Sequence, residues 1–235
     1  MISRLVVVPH PPLLVPELVS GAVRDTEPVR SACLAAAREL AARGPEWVAV
    51  AVDPSGPRLV EDVAGTFRGF GVDVRVSLSD GASRVDEDLP LPVLVAAWLR
   101  ERAGARAVRV HLVPPDLPTD ECVALGRQLA GAPALLVLGD GSHRHGEHAV
   151  GRPDERAGPF DEDVREALAR ADTAALRALD PALAAELGAS GRAAWQVAAG
   201  VPGPWRCSRS EFLAPFGVGY HLAVWDSTSG GRGGV

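Results

Sequence analysis

Five short apolar runs punctuate the first 140 residues, and between them the apolar positions recur at helical spacing. Residues 5–8, 47–52, 72–78, 107–113 and 134–138 read as strands. The first, second and last are almost unbroken runs of apolar side chains, the pattern of strands covered on both faces. Between the first two, residues 28–43 put Val29, Ala32, Cys33, Ala36 and Leu40 on one helical face, with Thr26 as the expected N-cap and Gly44 as the stop. Residues 91–102 read as a second helix. Thr119 is expected to cap a third, with Asp120 and Glu121 in the first turn, where the helix dipole favours acids, and an end near Gly131. After Phe160 the pattern turns almost wholly helical, over 161–171, 173–179, 182–187 and 192–200, before a last strand over 219–225.

This alternation implies an α/β fold: a layered parallel or mixed sheet with helices on both faces, and a helical C-terminal segment closed by a late strand. One domain over 1–226 is expected, followed by a flexible Gly/Ser-rich tail over 227–235. Length and composition agree, since 235 residues with 47% hydrophobic and 23% charged side chains suffice for a substantial core. No run of about 18 uncharged apolar residues suggests a membrane span. The start of the chain lacks a basic segment and is broken by Pro9, Pro11 and Pro12, so no signal peptide is expected.

Charge narrows the partners. A net charge of −6 argues against duplex nucleic acid, which needs a basic face, and no membrane partner is expected. The basic residues, 24 in all, are every one arginine, so a lysine Schiff base or a phosphate-loop lysine is excluded. Cys33, Cys122 and Cys207 are odd in number and far apart, which fits reduced, buried thiols in the cytoplasm.

In open α/β sheets ligands bind beyond the carboxyl ends of the strands. His10 follows the first strand, Asp53 and Ser55 the second, and Asp140 and His143 the strand over 134–138. The stretch LGDGSHRHGEHAVG, residues 138–151, gathers Asp140, His143, His145, Glu147 and His148, residue types suited to acid–base work or metal ligation. Its glycines also fit a solvated polar loop. Ser142 lacks the G-x-S-x-G setting of a nucleophile elbow, and the glycines match neither a phosphate loop nor a dinucleotide fingerprint. His111 and His221 fall inside strands and read as packing or network residues.

Taken in order, VVVPHPPLLVPEL, VAVAVDPSGPR, LLVLGDGSH, PFDEDVREALARAD and LGASGRAAWQVAAG resemble the class III extradiol dioxygenase superfamily, the LigB-like fold with its Memo-type relatives. The resemblance implies an open α/β domain. In active members it implies a non-haem Fe(II), held by two histidines and a glutamate, that opens a catechol-like aromatic with O2. By the same resemblance His10 matches the first metal ligand and His143 the acid–base, or a group lining the metal in Memo-type relatives. Small aromatic substrates and homo-oligomers are the implied partners. The chain departs from the pattern at two ligand positions, where Ser55 and Ser190 stand. Serine hydroxyls stay protonated at neutral pH and bind Fe(II) poorly, so Ser55, Asp140 and Ser190 read as pocket residues. A site for Fe(II) or Zn(II) would need Asp53 to turn inward and offer its carboxylate, or His145, Glu147 or His148 to fold back and join His10 and His143. The other expectation is a non-catalytic binding module with no metal at all.

Overall fold

The computed structural model describes residues 2–19 and 23–228. The chain runs through β1 (Arg4–Val8), α1 (Val23–Ala41), β2 (Glu46–Val52), β3 (Arg58–Val60), β4 (Val63–Thr66), β5 (Arg75–Ser77), β6 (Arg84–Val85), α2 (Leu91–Ala103) and β7 (Ala107–Val113). It continues through α3 (Thr119–Gln128), β8 (Ala134–Leu138), α4 (Ala157–Arg170), α5 (Thr173–Arg177), α6 (Pro181–Glu186), α7 (Arg192–Gly200), β9 (Trp205–Leu213) and β10 (Tyr220–Ser227). Seven strands form one mixed sheet in the order β3-β7-β2-β8-β1-β10-β9. The four central strands are parallel; β3 and β10 pair antiparallel at either side of them.

The apolar runs fall where their pattern requires. β1, β2 and β8 are inner strands with alternate side chains in two different cores. Val6, Val8, Ala49, Ala51, Leu136 and Leu138 face a layer built on α1 and α2. Leu5, Val7, Val48, Val50, Leu135 and Val137 face the layer that holds α4 and α7, with Trp195 and Trp225 fully enclosed. The architecture is therefore the layered α/β arrangement expected, with helices on both faces of a mixed sheet. Among the described residues no helix is long and apolar enough to cross a membrane.

Several local expectations are corrected. Helix α1 begins at Val23, so Pro28 lies inside it and Thr26 is not its cap; Thr26 Oγ1 instead accepts from the Arg30 guanidinium one turn on. Thr119 is the first helical residue of α3, preceded by Pro118 at the cap position, and its hydroxyl is turned to Gln196 on α7. The strand expected over 72–78 shortens to β5, which joins β4 and β6 in a separate three-stranded sheet. β9 was not expected. It is an edge strand whose exposed and half-buried positions mix charge with Trp205, Cys207 and Phe212, so no apolar run marks it. Ser227, assigned to the tail, closes β10, and its amide donates to Ser3 O. Thr228, also assigned to the tail, donates its amide to Pro204 O, and 229–235 lie outside the described residues.

Candidate functional site at the strand ends

Because β7, β2, β8 and β1 are parallel and in register, their carboxyl ends share one edge. Val8 lies beside Leu138, and Ala51 beside Leu138 on the other side. His10, Asp53 and Asp140 therefore leave the sheet at one level, as the sequence implied, and Pro114 leaves beside them. The backbone N–H of His10 donates to Asp140 Oδ1 at 2.8 Å, and its imidazole Nδ1 sits 3.9 Å from the same oxygen. His10 is 7% exposed, and among the described residues Nδ1 has no hydrogen-bond partner. Asp53 turns back on its own loop: its carboxylate accepts from the Ser55 amide at 2.9 Å and from the Ser55 hydroxyl at 2.5 Å.

The loop after β8 is held by a buried carboxylate that the sequence reading did not single out. Asp161, in the first turns of α4, is 1% exposed. It accepts from His145 Nε2 at 2.5 Å, His221 Nε2 at 2.8 Å and the Ser142 amide at 3.0 Å. Two glycines make room for it: a Cβ on Gly141 or Gly219 would lie 2.4 Å from its oxygens. His221 is clasped between Phe212 and Trp195, with ring centroids 4.8 and 5.5 Å away, and is the network residue expected. A signal for Asp161 was present, since Asp161, Val164 and Leu168 fall at i, i+3 and i+7 on the face that α4 buries.

His143 goes elsewhere. Its amide donates to Leu187 O, and its ring packs on Gly188, where a Cβ would lie 2.1 Å from Nε2. Beside Gly188 a cleft of about 290 Å³ opens between the residues after β7 and the N-terminus of α7; Pro115, Ser190 and Arg192 line it. The neighbouring backbone ties this cleft to the edge, because the Gly191 amide donates to Asp140 O at 2.8 Å. Glu147 and His148 are exposed; His148 lines a different hollow with Arg24, Asp25 and Phe216.

Burial, with the Arg144 charge beside it, holds the His143 imidazole below the usual 6.5. His111 on β7 is lowered too, by burial and then Arg109, with Glu61 opposing. A histidine whose folded pKa is depressed takes up protons more readily in the unfolded chain, so its contribution is full above 6.5 and is lost as pH falls through and below that value. Unfolding free energy, followed by urea titration, should therefore decline from pH 7.5 to 5.5. The Hε1 resonances of both histidines should titrate with midpoints under 6.5, and a midpoint above it would contradict this account.

The iron triad that the resemblance implies is not matched by the residues present. Of its expected donors, His10 alone is an imidazole at the edge. Ser55 and Asp53 satisfy each other, Asp140 holds the His10 amide, His145 is bound to Asp161, and Ser190 is a hydroxyl. Among the described residues no group of three or more His, Cys, Asp or Glu is arranged to hold a metal ion.

No protein family and no curated protein matches the chain by sequence. Among solved structures, the fold resembles that of an uncharacterized protein from Escherichia coli K12, with a TM-score of 0.50 and 12% identity over 96% of this chain and 100% of that one. At this identity the likeness supports the layered α/β fold alone.

Proposed function

We propose that this chain is a metal-independent ligand-binding module on a scaffold resembling the extradiol dioxygenases, rather than a ring-cleaving enzyme. The reading rests on one observation: beyond the parallel strands the Asp53 carboxylate is taken up by Ser55 and the Asp140 carboxylate by the His10 amide, so the unbonded His10 imidazole meets no convergent set of donors among the described residues. One imidazole cannot hold a divalent ion against water with useful affinity, whereas Fe(II) oxygenase chemistry needs two histidines and a carboxylate on one face. What the edge retains is the position at which α/β sheets receive ligands, and a cleft. Three free thiols, two of them buried, support a cytoplasmic setting.

The test is metal analysis of the purified protein, followed by Fe(II) addition and oxygen uptake over a panel of catechols. The expected result is substoichiometric iron and zinc with no uptake above buffer. Stoichiometric iron with catechol-dependent oxygen consumption would reverse the reading in favour of an extradiol dioxygenase, with His143 as acid–base.

A further inference from the structure

We propose that the cleft at the N-terminus of α7 binds a small organic carboxylate, its oxyanion end against Arg192 and its apolar body on the proline and alanine walls. The proposal rests on the metal-independent reading above and names the ligand class of that site. Three independent features converge there.

The first is charge. The protein carries −6 overall, yet Arg192 is the one charged side chain lining this cleft. The hollow between α4 and α6, by contrast, sets four carboxylates, Asp163, Glu166, Asp172 and Asp180, against a single arginine, Arg170. The second is the state of Arg192 itself. It is 2% exposed and, among the described residues, forms no ion pair with a carboxylate; the acceptors it reaches are neutral. Nη1 donates to Leu117 O at 2.6 Å and to Gln196 Oε1 at 3.0 Å, and Nη2 to Pro115 O. These bonds use three of the five guanidinium N–H groups and fix the plane of the fork, leaving two donors and a whole positive charge. A buried cation with only dipolar partners is a stored preference for an anion. The third is the backbone. The amides of Arg192, Ala193 and Ala194 begin a nine-residue helix and have no acceptor within it, so their N–H groups and the helix dipole add to the same field.

The remaining walls select within the anions. Pro115, Pro181, Ala184 and Ala185 offer no hydrogen-bond donors from their side chains, and Ser190 supplies one hydroxyl. About 290 Å³ accommodates a compact body behind the carboxylate, but not a nucleotide.

Benzoate is the probe, with inorganic phosphate and benzyl alcohol as comparisons, each titrated in EDTA and read by the amide resonances of residues 192–194. Benzoate should shift them saturably, and benzyl alcohol should bind at least about tenfold more weakly, since it lacks the charge. Arg192→Gln should weaken benzoate at least about tenfold. Because Arg192 also ties down residues 115–117, Ala185→Trp provides a second variant that fills the cleft from an exposed helix position and should weaken benzoate equally. Phosphate binding as tight as benzoate overturns the organic half of the proposal. No shift with benzoate, with or without added Zn2+, overturns the site and leaves metal independence standing. Binding that appears only with added Zn2+ overturns both, and places the anchor on a metal instead of Arg192.

Discussion

Asp161→Ala is expected to lower the unfolding free energy by about 3–5 kcal/mol, the range for stripping one partner from a buried charged network. The mutation deletes an acceptor that two imidazoles and the Ser142 amide share, with Ser142 and His221 buried and His145 half-buried. His221 then has neither nitrogen bonded, because its Nδ1 already lacks a partner. Water cannot compensate easily, since Phe212 and Trp195 flank that ring. Asp161→Asn keeps the volume between Gly141 and Gly219 but offers one acceptor oxygen in place of two, so it should lose roughly half as much. Guanidinium denaturation measures both, and the alanine variant should melt about 10 °C lower for a chain of this size. If both variants unfold within about 0.5 kcal/mol of the parent, the carboxylate is not what holds the loop. The expected local signature is that residues 142–145, hydrogen-bonded to α4 through Asp161, gain amide exchange before the sheet does.

The same network shows what the sequence could and could not reveal. The inner strands were legible because a strand covered on both faces is apolar along its covered length, as β8 is throughout and β1 and β2 are after their first residues, Arg4 and Glu46. From their parallel order follows the shared edge, which placed His10, Asp53 and Asp140 at one level. Edge strands carry no such constraint. β9 needs only one covered face, so its arginines and serines hid nine residues of strand. Side-chain direction beyond the strand ends was equally out of reach. His143 and His145 are two positions apart in one loop, yet one packs on Gly188 and the other bonds to Asp161. Periodicity cannot separate them, because no regular backbone fixes their orientation there. Arg192 was missed for a different reason. Surrounded by alanines on a wholly buried helix, it reads as an end-of-element charge, and only the carbonyls of residues 115 and 117, 75 or more positions away, explain it.

Gly126→Ala is expected to cost about 2 kcal/mol or more, although alanine is the better helix former by about 1 kcal/mol. The reason lies across the helix–helix contact. A Cβ on Gly126 of α3 would stand 2.1 Å from Val197 O and 2.8 Å from the Gly200 backbone on α7. Reciprocally, a Cβ on Gly200 would meet Val123 O at 2.4 Å. Backbone atoms cannot change rotamer, so relief requires the two helices to part, and α7 is already fixed to the sheet by Trp195 and by the Gly191 bond to Asp140. The movement would therefore fall on α3 and on residues 115–118, which hold the Arg192 guanidinium. Gly158→Ala is the matched control: it too lies in a helix, has nothing within 4 Å of a new Cβ, and should be neutral or stabilising by up to about 0.5 kcal/mol. Opposite signs for the two glycines by thermal denaturation, with weaker benzoate binding for Gly126→Ala alone, would tie the α3–α7 contact to the cleft. Equal stabilities would mean that the helices yield at no cost, and that their close approach does not set the Arg192 geometry.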